Sequence, residues 1–407
     1  LYDLHKEGFQ IVSDAALSDV VIINTCGFIE SAKQEAIDTI LEFCTLKQEG
    51  RIKAVIATGC LAERYRDGIG SNGKICDIIR EILLDKQAVC SYGAKTELSM
   101  EGGRIISTEP FYAYIKIAEG CSNNCTYCAI PSIRGKYRSR RMEDVVKEAR
   151  WLAENGVTEL VVVAQDTTRY GEDIYGKSML PELLTALCEI DGFKWIRTLY
   201  CYPERITDEL LDVIAKEDKL VKYLDMPIQH CDKTILKRMN RRGDRETLTA
   251  LIKKIREKIP NVTLRTTLIT GFPGETKEQF EELCEFVKEI RFERLGCFAY
   301  SPEEGTPAEK FEDQVPLKDR ERRAEIIMEE QMIISDSLNE AALDSEVEVV
   351  CEGFDRYAEC YYGRSQADAP EIDGKIFFLS EDKVRVGEYV KVKIDDTMDY
   401  DLIGSKM

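Results

Sequence analysis

The 407-residue chain is 44% hydrophobic and 32% charged, long enough for about three globular domains. Fifteen cysteines with no secretory pattern exclude a disulfide framework and point to reduced thiols and metal chemistry in the cytoplasm, and no apolar run reaches membrane-spanning length. A formal charge of −19 argues against a grip on naked nucleic acid and for a basic protein partner.

The chain opens on a short helix-like pattern, Leu1 to Gly8. The apolar run Val20-Val21-Ile22-Ile23-Asn24-Thr25 then reads as a buried parallel strand that delivers Cys26 at its carboxyl end. A helix is predicted over 31–43, with Ser31 as N-cap and Ala32, Ala36, Ile37, Ile40 and Leu41 on its apolar face. The next strand, 54–58, ends in Gly59-Cys60. Two strands thus each present a cysteine at the edge where open α/β sheets bind ligands.

From Phe111 to about Tyr300 strands and helices alternate. Strands are predicted at 114–118, 159–164, 196–200, 223–228, 263–270 and 295–300, with helices that include 143–155 and 277–290. Six strands with crossover helices fit a parallel, barrel-like sheet. Polar or glycine-rich residues follow each strand, where barrel enzymes place their active sites: Gln165-Asp166-Thr167-Thr168, Cys201-Tyr202, Gln229-His230, Gly271-Phe272-Pro273-Gly274-Glu275 and 301–306. Residues 318–339 read as a charged helix, either a connector or a solvated surface helix. From Glu346 short alternating runs at 347–350, 375–378 and 389–394 predict a small β-barrel. Residues 343–407 carry 16 acidic against 8 basic side chains, a poor grip for a polyanion.

The densest chemistry follows the first barrel strand: Cys121-Ser122-Asn123-Asn124-Cys125-Thr126-Tyr127-Cys128, three thiols spaced C-x3-C-x2-C. Three thiolates can hold three irons of a 4Fe-4S cube and leave the fourth open to a small molecule. A zinc knuckle, which takes four ligands, and three ordinary buried cysteines are the alternatives. Cys188, Cys284 and Cys297 lie in apolar patterns and read as packing residues. Gly271 and Gly274 allow close approach of backbone to a ligand, and Pro273 stiffens their turn. The basic cluster Arg134-Gly135-Lys136-Tyr137-Arg138-Ser139-Arg140-Arg141 fits an anionic substrate, an acidic neighbouring domain, a solvated loop or RNA. His230 reads by default as a structural histidine, with substrate or proton handling as the alternative.

The cysteine octet resembles that of the radical S-adenosylmethionine (SAM) enzymes. Together with Asn24-Thr25-Cys26, Gly59-Cys60 and the terminal β-domain, it resembles the radical-SAM methylthiotransferases over essentially the whole length. The resemblance implies an N-terminal Rossmann-like α/β domain (1–105), a partial (β/α)6 radical-SAM barrel with a connector helix (106–338), and a C-terminal small antiparallel β-barrel, the TRAM domain (339–407). It implies two 4Fe-4S clusters and SAM as cofactors. Cys121, Cys125 and Cys128 match the ligands of the radical-SAM cluster, whose electron cleaves SAM to a 5′-deoxyadenosyl radical. Cys26 and Cys60 match two of three auxiliary-cluster ligands. The third lies in a Gly-Cys-x-x-Asn pattern ahead of the opening helix, inside which this sequence begins, so the resemblance implies an N-terminal truncation. Tyr127 is implied to contact the adenine, and Gln165, Gly271 and Gly274 to contact SAM.

Three strings decide the branch: 26–33, 164–171 and 363–374. They look like the branch that adds a methylthio group to the β-carbon of an aspartate in small-subunit ribosomal protein twelve. Its partners would be that basic protein and an electron donor such as flavodoxin or ferredoxin, with no membrane, and RNA touched only through the ribosome. A tRNA adenosine methylthiotransferase, expected to carry a more basic TRAM domain, is the second reading. An iron-sulfur scaffold without turnover is the third.

Overall fold

The computed structural model describes residues 1–27, 29–65, 79 and 102–407. Phe28, in the first branch string, lies outside the described residues. The chain forms two compact units: Leu1–Ser107 with Glu119–Arg138 and Ser301–Lys310, and Thr108–Ala118 with Ser139–Tyr300 and Phe311–Met407.

In the first unit, strands β1 (Val20–Thr25) and β2 (Ala54–Gly59) run parallel, from Val20↔Ala54 to Thr25↔Gly59. Their β-branched runs favour extended backbone. The connecting helix spans Glu30–Gln48, five residues longer at its end than predicted. It opens with Ile29, in extended backbone, at the N-cap position, so Ser31 is not the cap. Leu4, Ile56 and Ile79 form a small core with Phe9 and Val20.

In the second unit, β3 (Tyr112–Lys116), β4 (Glu159–Val163) and β5 (Trp195–Thr198) form one parallel set in that order. Strands β6 (Tyr223–Asp225), β7 (Thr263–Thr270) and β8 (Arg294–Ala299) form another. A parallel bridge, Ile196↔Leu220, joins the two sets. The six predicted strands are all present, within about three residues at their ends, as boundaries fray. The helix Lys277–Ile290 opens on a reciprocal cap between Thr276 and Gln279. The helix Leu317–Glu340 is not a solvated surface helix: Ile327, Gln331, Ile334, Ser335 and Asn339 are buried, and Gln331 Nε2 donates to Phe292 O at 2.9 Å.

Strands β9 (Glu346–Asp355), β10 (Cys360–Arg364), β11 (Ile376–Leu379), β12 (Tyr389–Met398) and β13 (Asp401–Lys406) close into a barrel, ordered β9-β10-β11-β13-β12. Neighbours are antiparallel except β11 and β13, which run parallel. Strands β10 and β13 carry too little periodicity to stand out in the sequence. Val349, Cys351, Ile376, Phe378, Val390, Val392 and Ile394 fill the interior.

A second cluster joins the two barrels of this unit. Tyr112, Val161, Trp195, Leu199 and Tyr223 pack with Val350 and Ala369 of the C-terminal barrel, and Tyr389 meets Trp195 edge-on with centroids 4.8 Å apart. At this contact Glu159, fully buried, accepts from Arg197 Nε at 3.0 Å and from Arg364 Nη2 at 2.8 Å.

Candidate cluster loop and barrel cavity

The cysteine octet is a loop tied at both ends by backbone. Cys121 N–H donates to Gly135 O at 3.1 Å, Tyr137 N–H to Ser122 Oγ at 3.1 Å, and Ala308 N–H to Thr126 O at 2.9 Å. Cys121 and Cys125 are buried, and Cys128 and Tyr127 are half-buried. Burial pushes the Cys128 thiol up to about 12, and charge on Cys125 and Cys121 pushes the same way. The three sulfurs therefore sit close enough to feel one another. Without positive charge beside it the Cys128 thiol stays protonated, and iron reverses that balance. Three thiols on one sheltered loop fit a cluster. Among the described residues no three Cys, His, Asp or Glu side chains already converge as a metal group.

The edge of the first unit brings Cys26 and Cys60 together at neighbouring strand ends, through the Thr25↔Gly59 register. Thr25 Oγ1 donates to Thr58 O at 2.7 Å. Gly59 has φ +99°, and a Cβ there would run into Thr25 O and Asn24 Oδ1. Only glycine makes this turn, which starts the helix Cys60–Arg64 directly on the cysteine. Arg134 Nη2 lies 3.1 Å from Cys60 Sγ, and Arg134 Nη1 lies 3.7 Å from Glu119. Arg64 Nη1 donates to Gly27 O at 2.9 Å and to Glu303 at 2.8 Å, holding the turn that follows Cys26. The sequence marks Glu303 only as part of the polar run 301–306 and does not mark Arg64, because nothing local signals a pair 239 residues apart. It saw Arg134 only as one member of a basic cluster.

Two further arginines of that cluster also turn inward, whereas Lys136 and Arg141 are exposed. Arg138 donates to Arg134 O and Lys136 O. Arg140, 3% exposed, donates to Lys116 O at 3.0 Å and to Glu148 at 2.6 Å. Internal carbonyls and the Glu148 carboxylate occupy these two guanidinium groups.

In the second unit the predicted SAM-contact residues separate. Gly271 has φ +67° and Gly274 φ +81°. A Cβ on Gly271 would enter the Arg320 side chain, and one on Gly274 would lie 2.5 Å from Asp313 Oδ2. The close approach that these glycines permit is to the chain itself. Glu275 fixes the turn, its Oε2 accepting from Gly271 N–H at 2.8 Å and its Oε1 from Arg323 at 2.6 Å. His230 is fully buried; its Nδ1 accepts from Asp232 N–H at 2.9 Å, which leaves the proton on Nε2, 3.6 Å from Glu275 Oε2. This is the default structural histidine. Gln165 lies elsewhere, in the wall of a cavity of about 340 Å³ at the carboxyl ends of β3, β4 and β5, with Tyr114, Lys116, Leu199 and Tyr200, and with Ile372 from the C-terminal barrel. Tyr200 holds a left-handed φ of +61° while its N–H donates to Asp225 at 2.9 Å, strain of a kind that gathers at functional sites. Cys188 and Cys284 are packing thiols, pushed up to about 11 by burial.

Residues 115–287 match the Radical SAM superfamily, 345–406 match the TRAM domain, and 1–80 match a group described as uncharacterized protein family UPF0004. The chain is 49% identical over 414 residues to ribosomal protein uS12 methylthiotransferase RimO of Clostridioides difficile (strain 630), covering 98% of this chain and 93% of that one. It is 46% identical to the protein of the same name from Thermoanaerobacter sp. (strain X514), covering 98% and 94%. Among solved structures, the radical SAM methyltransferase TsrM of Kitasatospora setae with cobalamin and a [4Fe-4S] cluster bound is similar at TM-score 0.53 and 15% identity, over 75% of this chain and 72% of that one, a likeness of fold. With near-half identity over almost its entire length, the chain belongs to the radical-SAM methylthiotransferases, in the family of the ribosomal protein uS12 enzymes.

Proposed function

We propose that this chain replaces a hydrogen on the β-carbon of an aspartate in ribosomal protein uS12 by a methylthio group. The observation that carries the reading is the shared length and identity with the uS12 methylthiotransferases. The arrangement of thiols supports it. Cys121, Cys125 and Cys128 would hold the radical-SAM cluster, and Cys26 and Cys60 would supply two thiolates to an auxiliary one. When bound, the clusters and SAM supply sulfur, methyl group and a radical strong enough to take an unactivated hydrogen, which no side chain can do.

The protein's own work is to hold and shelter. Arg134 donates to the Cys60 sulfur, a contact that orients it. Arg64 and Glu303 order the Cys26 turn. Gln165 and Tyr127 are assigned to SAM; Gly271 and Gly274 shape the turn carried by Glu275. The domains run 1–105, 106–338 and 339–407. The acidic C-terminal barrel suits a basic ribosomal protein, and a flavodoxin or ferredoxin would supply electrons. Among the described residues no helix is long and apolar enough to cross a membrane.

The test is anaerobic incubation of the cluster-loaded chain with SAM, reductant and sulfide, with uS12 in one tube and unmodified tRNA in another. Mass spectrometry reads the methylthio gain. Gain on uS12 is expected; gain on tRNA alone would assign the chain to the other branch. Cys125→Ala should abolish SAM cleavage, whereas a scaffold would keep its function.

A further inference from the structure

The cysteine octet and the two strand-end cysteines belong to one compact unit, and one side chain joins them. The short helix Ile130–Arg134 begins just after Cys128 and ends on Arg134. From there Nη2 donates to the Cys60 sulfur at 3.1 Å, while Nη1 of the same guanidinium lies 3.7 Å from Glu119 Oε2. Glu119 is itself held, since its Oε1 accepts from Gly120 N–H at 3.1 Å. Gly120 has φ +78°, and a Cβ there would run into Lys136 O and Gly135 O, so the segment that enters the octet is pressed against the turn that leaves it. Cys121 N–H donates to Gly135 O at 3.1 Å across the same contact, and Arg138 Nη1 donates to Arg134 O at 3.2 Å. The arm that carries the guanidinium is therefore fixed by backbone on both sides.

The other arginine at this edge is occupied by oxygen: Arg64 donates to Gly27 O, to Glu303 and to Glu304 O. Arg134 differs in giving a permanently charged N–H to a sulfur. A thiol that coordinates a metal is deprotonated outright. With iron on Cys60, the contact is a charge-assisted hydrogen bond to a cluster thiolate. Hydrogen bonds to the sulfurs are among the factors that set the reduction potential of an iron-sulfur cluster. The sign follows from charge: a reduced cluster carries one more negative charge than its oxidised form, so a fixed cation beside its sulfur favours the reduced form more.

We infer that Arg134, carried on the octet's own helix, is a positioning residue that raises the reduction potential of the cluster on Cys60. The inference rests on the reading that Cys60 ligates an auxiliary cluster. The redox step moves one electron from an added reductant such as dithionite into that cluster, and no bond at Arg134 forms or breaks. A guanidinium fits this place better than an ammonium because its planar fork holds the sulfur and the Glu119 carboxylate at once.

The potential is read by electron paramagnetic resonance on the iron-loaded full chain during titration with dithionite. Cys121→Ala, Cys125→Ala and Cys128→Ala together leave only the cluster on Cys60. In that background Arg134→Met should lower the potential: at a fixed solution potential near the midpoint the ratio of reduced to oxidised cluster falls roughly tenfold, about 59 mV for a one-electron couple. Arg134→Lys keeps the charge and should restore most of the shift, which repair of a packing defect alone would not do. In the complementary background, Cys26→Ala with Cys60→Ala, Arg134→Met should move the potential of the remaining cluster far less. Equal shifts in both backgrounds, or an unchanged potential at unchanged iron content, overturn the inference, while methylthiolation of uS12 by the wild type leaves the substrate reading standing. A triple-alanine background that takes up no iron removes the auxiliary-cluster assignment and the inference with it.

Discussion

Glu159 has no contact with solvent, yet its carboxylate is held charged. Burial favours the neutral acid, and the guanidinium groups of Arg364 and Arg197 outweigh it, so its pKa falls below the ordinary carboxylate range. Such a group stabilises the fold fully above the unfolded value of about 4.3 and loses that contribution as pH drops through its lower folded value. Glu159→Gln leaves two buried cations with one carboxylate, Glu352, between them. Loss of about 3–5 kcal/mol is expected at pH 7 from denaturant unfolding. The gap between wild type and variant should shrink as pH falls below the carboxylate range; a gap independent of pH would show that charge is not the cause. The buried pair is also the residue-scale feature hardest to read from sequence. Glu159 opens an apolar strand, and its partner Arg364 lies 205 residues away.

At the scale of elements, the turn after β7 and the helix it starts are built from local signals. Gly271→Ala must force an alanine into φ +67° and against Arg320, for a loss of about 1–3 kcal/mol. Thr276→Ala removes half of a reciprocal cap, for about 1 kcal/mol. Thermal unfolding checks both, and an unchanged midpoint in Gly271→Ala would mean that the turn relaxes freely. These elements were legible because their determinants lie within a few residues: the helix 277–290 matches its predicted bounds. The strand ends that carry Cys26 and Cys60 were legible for the same reason. The cavity was not. The sequence shows Tyr114 and Lys116 alternating along a strand, but the loop that brings Ile372 beneath them begins 249 residues after Lys116, at Ser365. Gly271 and Gly274 stand out in the sequence because glycine permits close approach, and the fold adds that Arg320 and Asp313 lie against them.

For the second unit as a whole, the C-terminal barrel is part of the larger barrel's core. Val350, Ala369 and Tyr389 complete a cluster with Tyr112, Val161, Trp195 and Tyr223. A chain ended at Glu340 would expose that apolar face and strand Glu159 and Arg197 without Arg364. Circular dichroism and limited proteolysis should find the shortened chain unfolded or aggregated across this unit; a melting profile like the full chain's would show the two barrels to be independent. Through this sharing the acidic C-terminal barrel also shapes the cavity, which Ile372 of its loop lines.

The most direct measurement follows one hydrogen. uS12 deuterated at the acceptor aspartate's β-carbon is incubated with the cluster-loaded chain, SAM and reductant, and the 5′-deoxyadenosine produced is weighed. The account predicts deuterium in that product from wild type and no 5′-deoxyadenosine from Cys125→Ala. 5′-Deoxyadenosine free of deuterium, with uS12 unmodified, would contradict it.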